Sequence, residues 1–277
     1  MTRAPTPVVI AVAPNGARKT RADHPRIPLL PDDLAQCAED IAAAGASMMH
    51  VHVRDAHGRH SLDARDYRAA TDAIRARIGD RLVLQLTTEA GGRYTAAAQM
   101  AAARALEAEA VSLAIREFFA TPQDEVAAQA VIAELRAHGT LIQFIVHSPQ
   151  DIAHAAELHA VGVLGDDLPN LLFVLGAYAG QRAGRPADLA PTLAVLPAGW
   201  PWSACAFGAD ELRCMAASAL FGGHVRVGFE NNLALPGGEP AADNAALVRA
   251  TAAALAPLHM RAASAEEARR FFRHGRA

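Results

Sequence analysis

Residues 47–55 read SMMHVHVRD. The stretch is apolar enough for a buried strand, yet it carries two histidines one residue apart. In a strand, side chains at i and i+2 point to the same face. His50 and His52 therefore share one face, and Val51 and Val53 the other. Two imidazoles side by side are a costly filling for a core, which points to something held between them.

The flanks of this strand decide the fold class. Alanine-rich helical patterns lie on both sides, near 31–44 and 63–78. The same alternation runs through the chain. Strands are expected at 8–13, 47–53, 82–88, 110–115, 141–146, 170–176, 202–208 and 224–229. Further helices fall near 95–108, 122–138, 149–161, 186–195, 209–221 and 242–256. Several start with capping residues or first-turn prolines, as in TPQDE at 121 and SPQD at 148. Eight strand–helix units in this length predict an α/β protein built as a (β/α)8 TIM barrel. A doubly wound sheet is the alternative, but no GxGxxG or GxxxxGK follows the first strand. No linker or low-complexity tract divides the chain, so residues 1–277 read as a single barrel domain. SAEE at 264–267 is a capping box that opens a short C-terminal helical extension.

Composition narrows the chemistry. The 277 residues are 52% hydrophobic with net charge −3, which leaves no polybasic surface for nucleic acid or anionic membrane. No apolar run is long enough to span a bilayer. The amino-terminal MTRAPTPVVIAVAPNG has no signal-peptide pattern. Cys37, Cys205 and Cys214 form no CxxC motif, so a reducing cytoplasm is the expected location. Lys19 is the only lysine, and it lies in the loop-like GARKTRADHP. Imine and pyridoxal chemistry, which need a reactive lysine, are disfavoured.

In a (β/α)8 barrel the active site lies at the C-terminal ends of the strands. The last strand reads GGHVRVGFENN, residues 222–232. Alternation puts His224, Arg226, Gly228 and Glu230 on one face, with Val225, Val227 and Phe229 on the helix-facing side. Even-numbered strands share interior layers, so Glu230 is expected to converge with His50 and His52. Two imidazoles and a carboxylate are a familiar catalytic zinc set with open positions. A lone strand histidine is ordinarily a hydrogen-bonded core residue; the convergent glutamate shifts the reading toward a metal. Other strand ends supply Asn15, Gly16, Gln85, Gln143 and His147 as candidate substrate contacts, with Thr87 and Glu89 after strand three. Arg54 and Asp55 suit a salt bridge as well as a substrate contact. Arg226, inside an apolar strand, needs an anionic partner.

VAPNG at 12–16, PDDLAQCAEDIAAAGASMMHVHVRD at 31–55, TTEAGG at 87–92 and GGHVRVGFENN together carry a resemblance. The chain resembles the β-keto acid cleavage enzymes over nearly its whole length. The resemblance implies a zinc-containing (β/α)8 barrel, one zinc per chain, usually homo-oligomeric and often tetrameric. It implies condensation of a β-keto acid with acetyl-CoA to give acetoacetate and a new acyl-CoA. Carried over residue by residue, the zinc ligands are His50, His52 and Glu230, the strand-eight arginine is Arg226, and the strand-three hydroxyl is Thr87. The residue after the ligand glutamate is usually an aspartate that serves as base; here it is Asn231. A strand-five glutamate is replaced by Gln143, and AIREFF at 114–119 stands where the family has a polar residue and glycines. Asparagine accepts no proton near neutral pH, which leaves Glu89 and His147 as candidate bases. Two other readings follow from the same changes: a metal-dependent lyase or hydrolase working without CoA, and a non-catalytic ligand-binding barrel.

Overall fold

The computed structural model describes residues 4–177 and 182–274; residues 1–3 of the amino-terminal stretch lie outside it. The elements, in order, begin with β1 (Thr6–Val8), β2 (Ile10–Val12), α1 (Pro31–Ala43), β3 (Met48–Val51), β4 (Val53–Arg54), β5 (His60–Ser61) and α2 (Ala64–Ile78). Next come β6 (Val83–Thr87), α3 (Ala96–Ala105), β7 (Ala110–Ala114), α4 (Ile115–Phe118), α5 (Pro122–Ala137), β8 (Leu141–Val146) and α6 (Pro149–Ala160). The chain continues with β9 (Asn170–Ala177), β10 (Arg182–Ala183), α7 (Leu189–Val195), β11 (Trp202–Ala206), α8 (Glu211–Leu220) and β12 (His224–Val227). It closes with α9 (Asn244–Leu255), β13 (Met260–Ala262) and α10 (Ala265–His274).

Strands β2, β3, β6, β7, β8, β9, β11 and β12 pair in parallel, each with its sequence neighbour. The β12–β2 ladder closes the ring through Val225↔Ile10. This is the expected (β/α)8 barrel. Side chains on the outer strand faces, such as Met49, Val51, Leu84, Leu86, Val225 and Val227, join the helices in one core. Helix α1 buries Leu34, Ala35, Ala38 and Ile41, the stripe its helical period dictates. Thr95, Thr121, Ser148 and Asp243 each cap a helix by accepting a backbone N–H two or three residues into it.

Several elements differ from the sequence reading, among them the last barrel strand, expected at 224–229, which ends at Val227. The first strand divides, because β1 leaves the barrel to pair in parallel with β13 (Thr6↔Met260). The second strand ends at Val51, and β4 and β5 form a small hairpin beyond it. An extra turn of helix, α4, follows the fourth barrel strand. Among the described residues no helix is long and apolar enough to cross a membrane.

Inside the barrel the layers change character from bottom to top. Val9, Ala11, Met48, Val83, Ala110 and Leu141 form an apolar floor. Helix α10, opened by the Ser264–Glu267 capping box, seals that floor with Phe271. His224 belongs here: its Nδ1 accepts the Val9 N–H, and its ring stands edge-on 3.8 Å from Phe271. Burial pushes its imidazole down to about 4. An unfolded histidine titrates near about 6.5, so between these values the folded chain binds fewer protons. The stability His224 contributes is complete above about 6.5 and is lost as pH falls toward about 4. We expect Tm to drop across that window and the drop to be shallower in His224→Gln. An unchanged slope would remove His224 from this account.

Candidate metal centre and cavity

Above the floor, His50, His52 and Glu230 bring three donor atoms within 4.8 Å of one another, all buried. His50 Nε2 lies 3.1 Å from His52 Nε2, and Glu230 Oε2 lies 3.4 Å from His52 Nε2 and 3.9 Å from His50 Nε2. Tetrahedral coordination with bonds of about 2.0–2.2 Å puts neighbouring donors about 3.4 Å apart. The observed separations bracket that value, so the donor set fits a zinc-like ion. Burial and nearby Arg226 push His50 down to about 3, which keeps its imidazole neutral with a lone pair to offer. Burial opposes ionisation of Glu230, but Arg226 and the imidazoles hold its carboxyl well below the usual carboxylate range.

The orientation of His50 is set from behind. Its Nδ1 sits 2.8 Å from Gln85 Oε1, an acceptor, so Nδ1 carries the proton and Nε2 faces the cluster. Gln85 Nε2 donates to Gln143 Oε1, and Gln143 Nε2 donates to Asn170 Oδ1. An amide belt thus crosses the barrel interior from β3 to β9. Gln85 and Gln143, read from sequence as substrate contacts, instead hold a histidine.

The turn after β12 delivers Glu230, and its backbone is tied down on every side. Gly228 N–H donates to Glu211, Phe229 N–H to Asn244 Oδ1, and Glu230 N–H to the Ala13 carbonyl. Lys19 donates to the Phe229 carbonyl at 2.7 Å. Glu211, fully buried and pushed up to about 8 by burial, also accepts from Asn232 Nδ2. Sequence patterning missed Glu211 and Asn244, and placed Lys19 only in a loop, because each meets its partner across the barrel rim. Gly228 has φ +132°, and a Cβ there would lie 2.4 Å from the Ala13 carbonyl oxygen. We expect Gly228→Ala to cost about 1–3 kcal/mol of stability and to lower the metal content of the purified chain; normal metal loading with an unchanged Tm would refute this.

A cavity of about 230 Å³ opens over the cluster; His50, Thr87, Glu89, His147, Arg226 and Glu230 are among its lining residues. Arg226 Nη2 lies 3.4 Å from Glu230 Oε1, 3.3 Å from Asn231 Oδ1 and 3.2 Å from Cys205 Sγ. Asn231 therefore turns its oxygen to Arg226 and its NH2 away. Thr87 accepts the Glu89 N–H, and Glu89 Oε2 stands 3.8 Å from His52 Nδ1. Burial raises the Glu89 carboxyl. His60, not singled out from sequence, donates to the Glu89 carbonyl and braces this loop. Burial pushes His147 down to about 4.

Asn15 and Gly16 do not line this cavity. Asn15 Nδ2 donates to the Pro28 and His52 carbonyls, which pins the first loop to the end of the second strand. Gly16 offers its carbonyl to Arg54, which also donates to Lys19 O. Asp55 pairs with Arg59. Arg54 thus anchors the first loop through two backbone carbonyls.

A family model described as beta-keto acid cleavage enzyme matches residues 7–273. The chain is 27% identical over 267 residues to the 3-keto-5-aminohexanoate cleavage enzyme of Fusobacterium nucleatum, covering 95% of this chain and 96% of that protein. It is 26% identical to the 3-oxoadipate:acetyl-CoA acetyltransferase of Cupriavidus necator, over 89% of this chain and 88% of that protein. It is 26% identical to the 3-dehydrocarnitine:acetyl-CoA trimethylamine transferase of Rhizobium meliloti, over 95% of each. In fold it is similar to a solved structure of ObcA with oxaloacetate, with TM-score 0.72 and 18% identity, over 90% of this chain and 67% of that one.

Proposed function

The chain belongs to the beta-keto acid cleavage enzyme family, and from that premise we propose that it is a metal-dependent acyltransferase. It takes a β-keto acid and acetyl-CoA and releases acetoacetate and a new acyl-CoA. The observation that carries the reading is the buried His50, His52 and Glu230 cluster at the floor of a cavity that Arg226 and Glu89 also line.

Zinc would be held by His50, His52 and Glu230, one ion per chain. When bound, it would supply a Lewis acid for the keto oxygen of the substrate. The carbon between the keto and carboxylate groups must lose a proton to attack the thioester carbonyl and displace CoA thiolate. The thiolate then attacks the original keto carbon, the bond from that carbon to the α-carbon breaks, and the proton returns to the α-carbon of the released acetoacetate. A base must therefore reach the cavity. Among the described residues, three carboxylates line it. Glu230 belongs to the donor set, and Glu117 accepts from the Ala90 N–H and Gln99 Nε2. Glu89 is left for the proton. Asn231 contributes an amide oxygen that orients Arg226, and Arg226 offsets negative charge that develops beside Glu230. Thr87 holds the Glu89 loop at the cavity edge. In this reading residues 1–277 form one domain, and the working unit is a homo-oligomer, a tetramer as the resemblance implies.

The test is zinc content together with acetoacetate release from several β-keto acids, with and without acetyl-CoA. We expect zinc near one per chain and release only when acetyl-CoA is present. Asn231 favours a second reading, a CoA-independent lyase. Metal-dependent product formation without acetyl-CoA would select that reading over the first.

A further inference from the structure

The cavity has two chemically different halves. Strands β3, β6 and β12 supply the polar half, with His50, Thr87, Glu89, Arg226 and Glu230. Strands β7, β8, β9 and β11 and their ends supply the other, where Ala114, Ile145, Val174, Ala177 and Phe207 form an apolar wall beside Ser112, Arg116, Glu117 and His147. Leu172, Val174 and Cys205 form a small apolar cluster of their own within the barrel, with Ile145 and Phe207 packed against it. It is distinct from the large core between strands and helices. This wall lies on the same strands as the amide belt, with Ile145 two residues beyond Gln143 and Leu172 and Val174 two and four beyond Asn170.

The charged groups on this side already have partners. Arg116 pairs with Asp151 at 2.8 Å, and Asp151 also accepts the His147 N–H. Glu117 is engaged by Ala90 and Gln99. The His147 imidazole is neutral at physiological pH, because burial pushes it down to about 4. A substrate whose carboxylate and keto groups occupy the polar half must place its tail against the apolar wall. An ammonium or a second carboxylate there would lose hydration and would have to compete with Asp151 for Arg116 or with Ala90 and Gln99 for Glu117.

Resting on the β-keto acid reading above, the geometry points to an uncharged aliphatic tail as the substrate feature this pocket selects. Specificity then comes from Ala114, Ile145, Val174 and Phe207. Each methylene added against the wall raises affinity until the wall is filled.

Calorimetric titration of the metal-loaded full chain tests this without turnover. The probes are 3-oxobutanoate, 3-oxohexanoate, 3-oxoadipate and 3-keto-5-aminohexanoate. Affinity should rise about fourfold per methylene from 3-oxobutanoate to 3-oxohexanoate. The latter should bind at least about tenfold more tightly than either charged-tail acid. Val174→Thr, which keeps the side-chain shape, should weaken 3-oxohexanoate several-fold and leave 3-oxobutanoate unchanged. Equal or tighter binding of a charged-tail acid overturns the inference, as does binding of none of the four. Turnover with acetyl-CoA is read separately: its absence defeats the proposed reaction, while the order of affinities still judges the pocket.

Discussion

Under the proposed function, Glu230→Ala should lose the metal, abolish acetyl-CoA-dependent turnover and cost about 3–5 kcal/mol of stability. Two separate physical effects meet in this one carboxylate. Its Oε2 lies 3.4 Å from His52 Nε2 and 3.9 Å from His50 Nε2, so truncation removes a third of the donor set. Its Oε1 lies 3.4 Å from Arg226 Nη2, with both side chains less than a tenth exposed. Removing the anion leaves a buried guanidinium with weaker neighbours, the Asn231 amide and the Cys205 sulfur. Loss of an outer partner of a metal ligand ordinarily costs about 10–100-fold in affinity, and loss of a ligand should exceed that. Glu230→Gln keeps the shape but removes the same anion, so it should lose the metal and retain most of the stability cost, without the added cost of a cavity. Metal analysis and thermal unfolding read them independently. Full metal loading in Glu230→Ala would sink the assignment of the donor set.

Glu89→Gln should lower kcat by about 10²–10⁴-fold while metal content stays at the wild-type level. The argument is one of position. Glu89 lines the cavity, its backbone is held by Thr87 and His60, and its carboxylate reaches toward the cluster. The same carboxylate stands 3.8 Å from His52 Nδ1, which raises a competing role as a brace for that ligand. The two roles separate cleanly. A brace would show itself as lost metal, whereas a base would show itself as lost rate with the metal kept. His147→Ala provides the contrast, since an imidazole pushed down to about 4 is a weak proton acceptor; its effect on kcat should be small. Metal loss in Glu89→Gln, or an unchanged rate, would return the search for a base to the rest of the cavity.

Much of the fold was legible because strand and helix periods are local. Runs such as LIQFIV and LVLQLTT announced β8 and β6, and the caps at Thr121 and Ser148 announced α5 and α6. The departures were non-local. Val8 reads as the start of the first barrel strand, but its ladder partner is Ala262, more than two hundred residues away. No local pattern records such a pairing.

The candidate site divides along the same line. The two-residue period of a strand by itself pointed to His50 and His52 on one face and to Arg226 facing the barrel interior, whereas Glu230 reaches the cluster from the turn beyond β12. Alternation is a property of the backbone, and it needs no knowledge of what lies across the barrel. Only the tertiary structure decided what each inward side chain meets. Gln85 and Gln143 are 58 residues apart, and ring closure turns them into one belt behind His50. Asn15 has the parity of a strand end, yet its amide is taken by Pro28 and His52. Glu211, Asn244 and Lys19 carry no pattern of their own; they matter because the barrel rim brings three distant segments to the turn that presents Glu230. The sequence determined which faces point inward, and closure of the barrel determined which groups meet there, because register and closure are set by packing the whole ring at once.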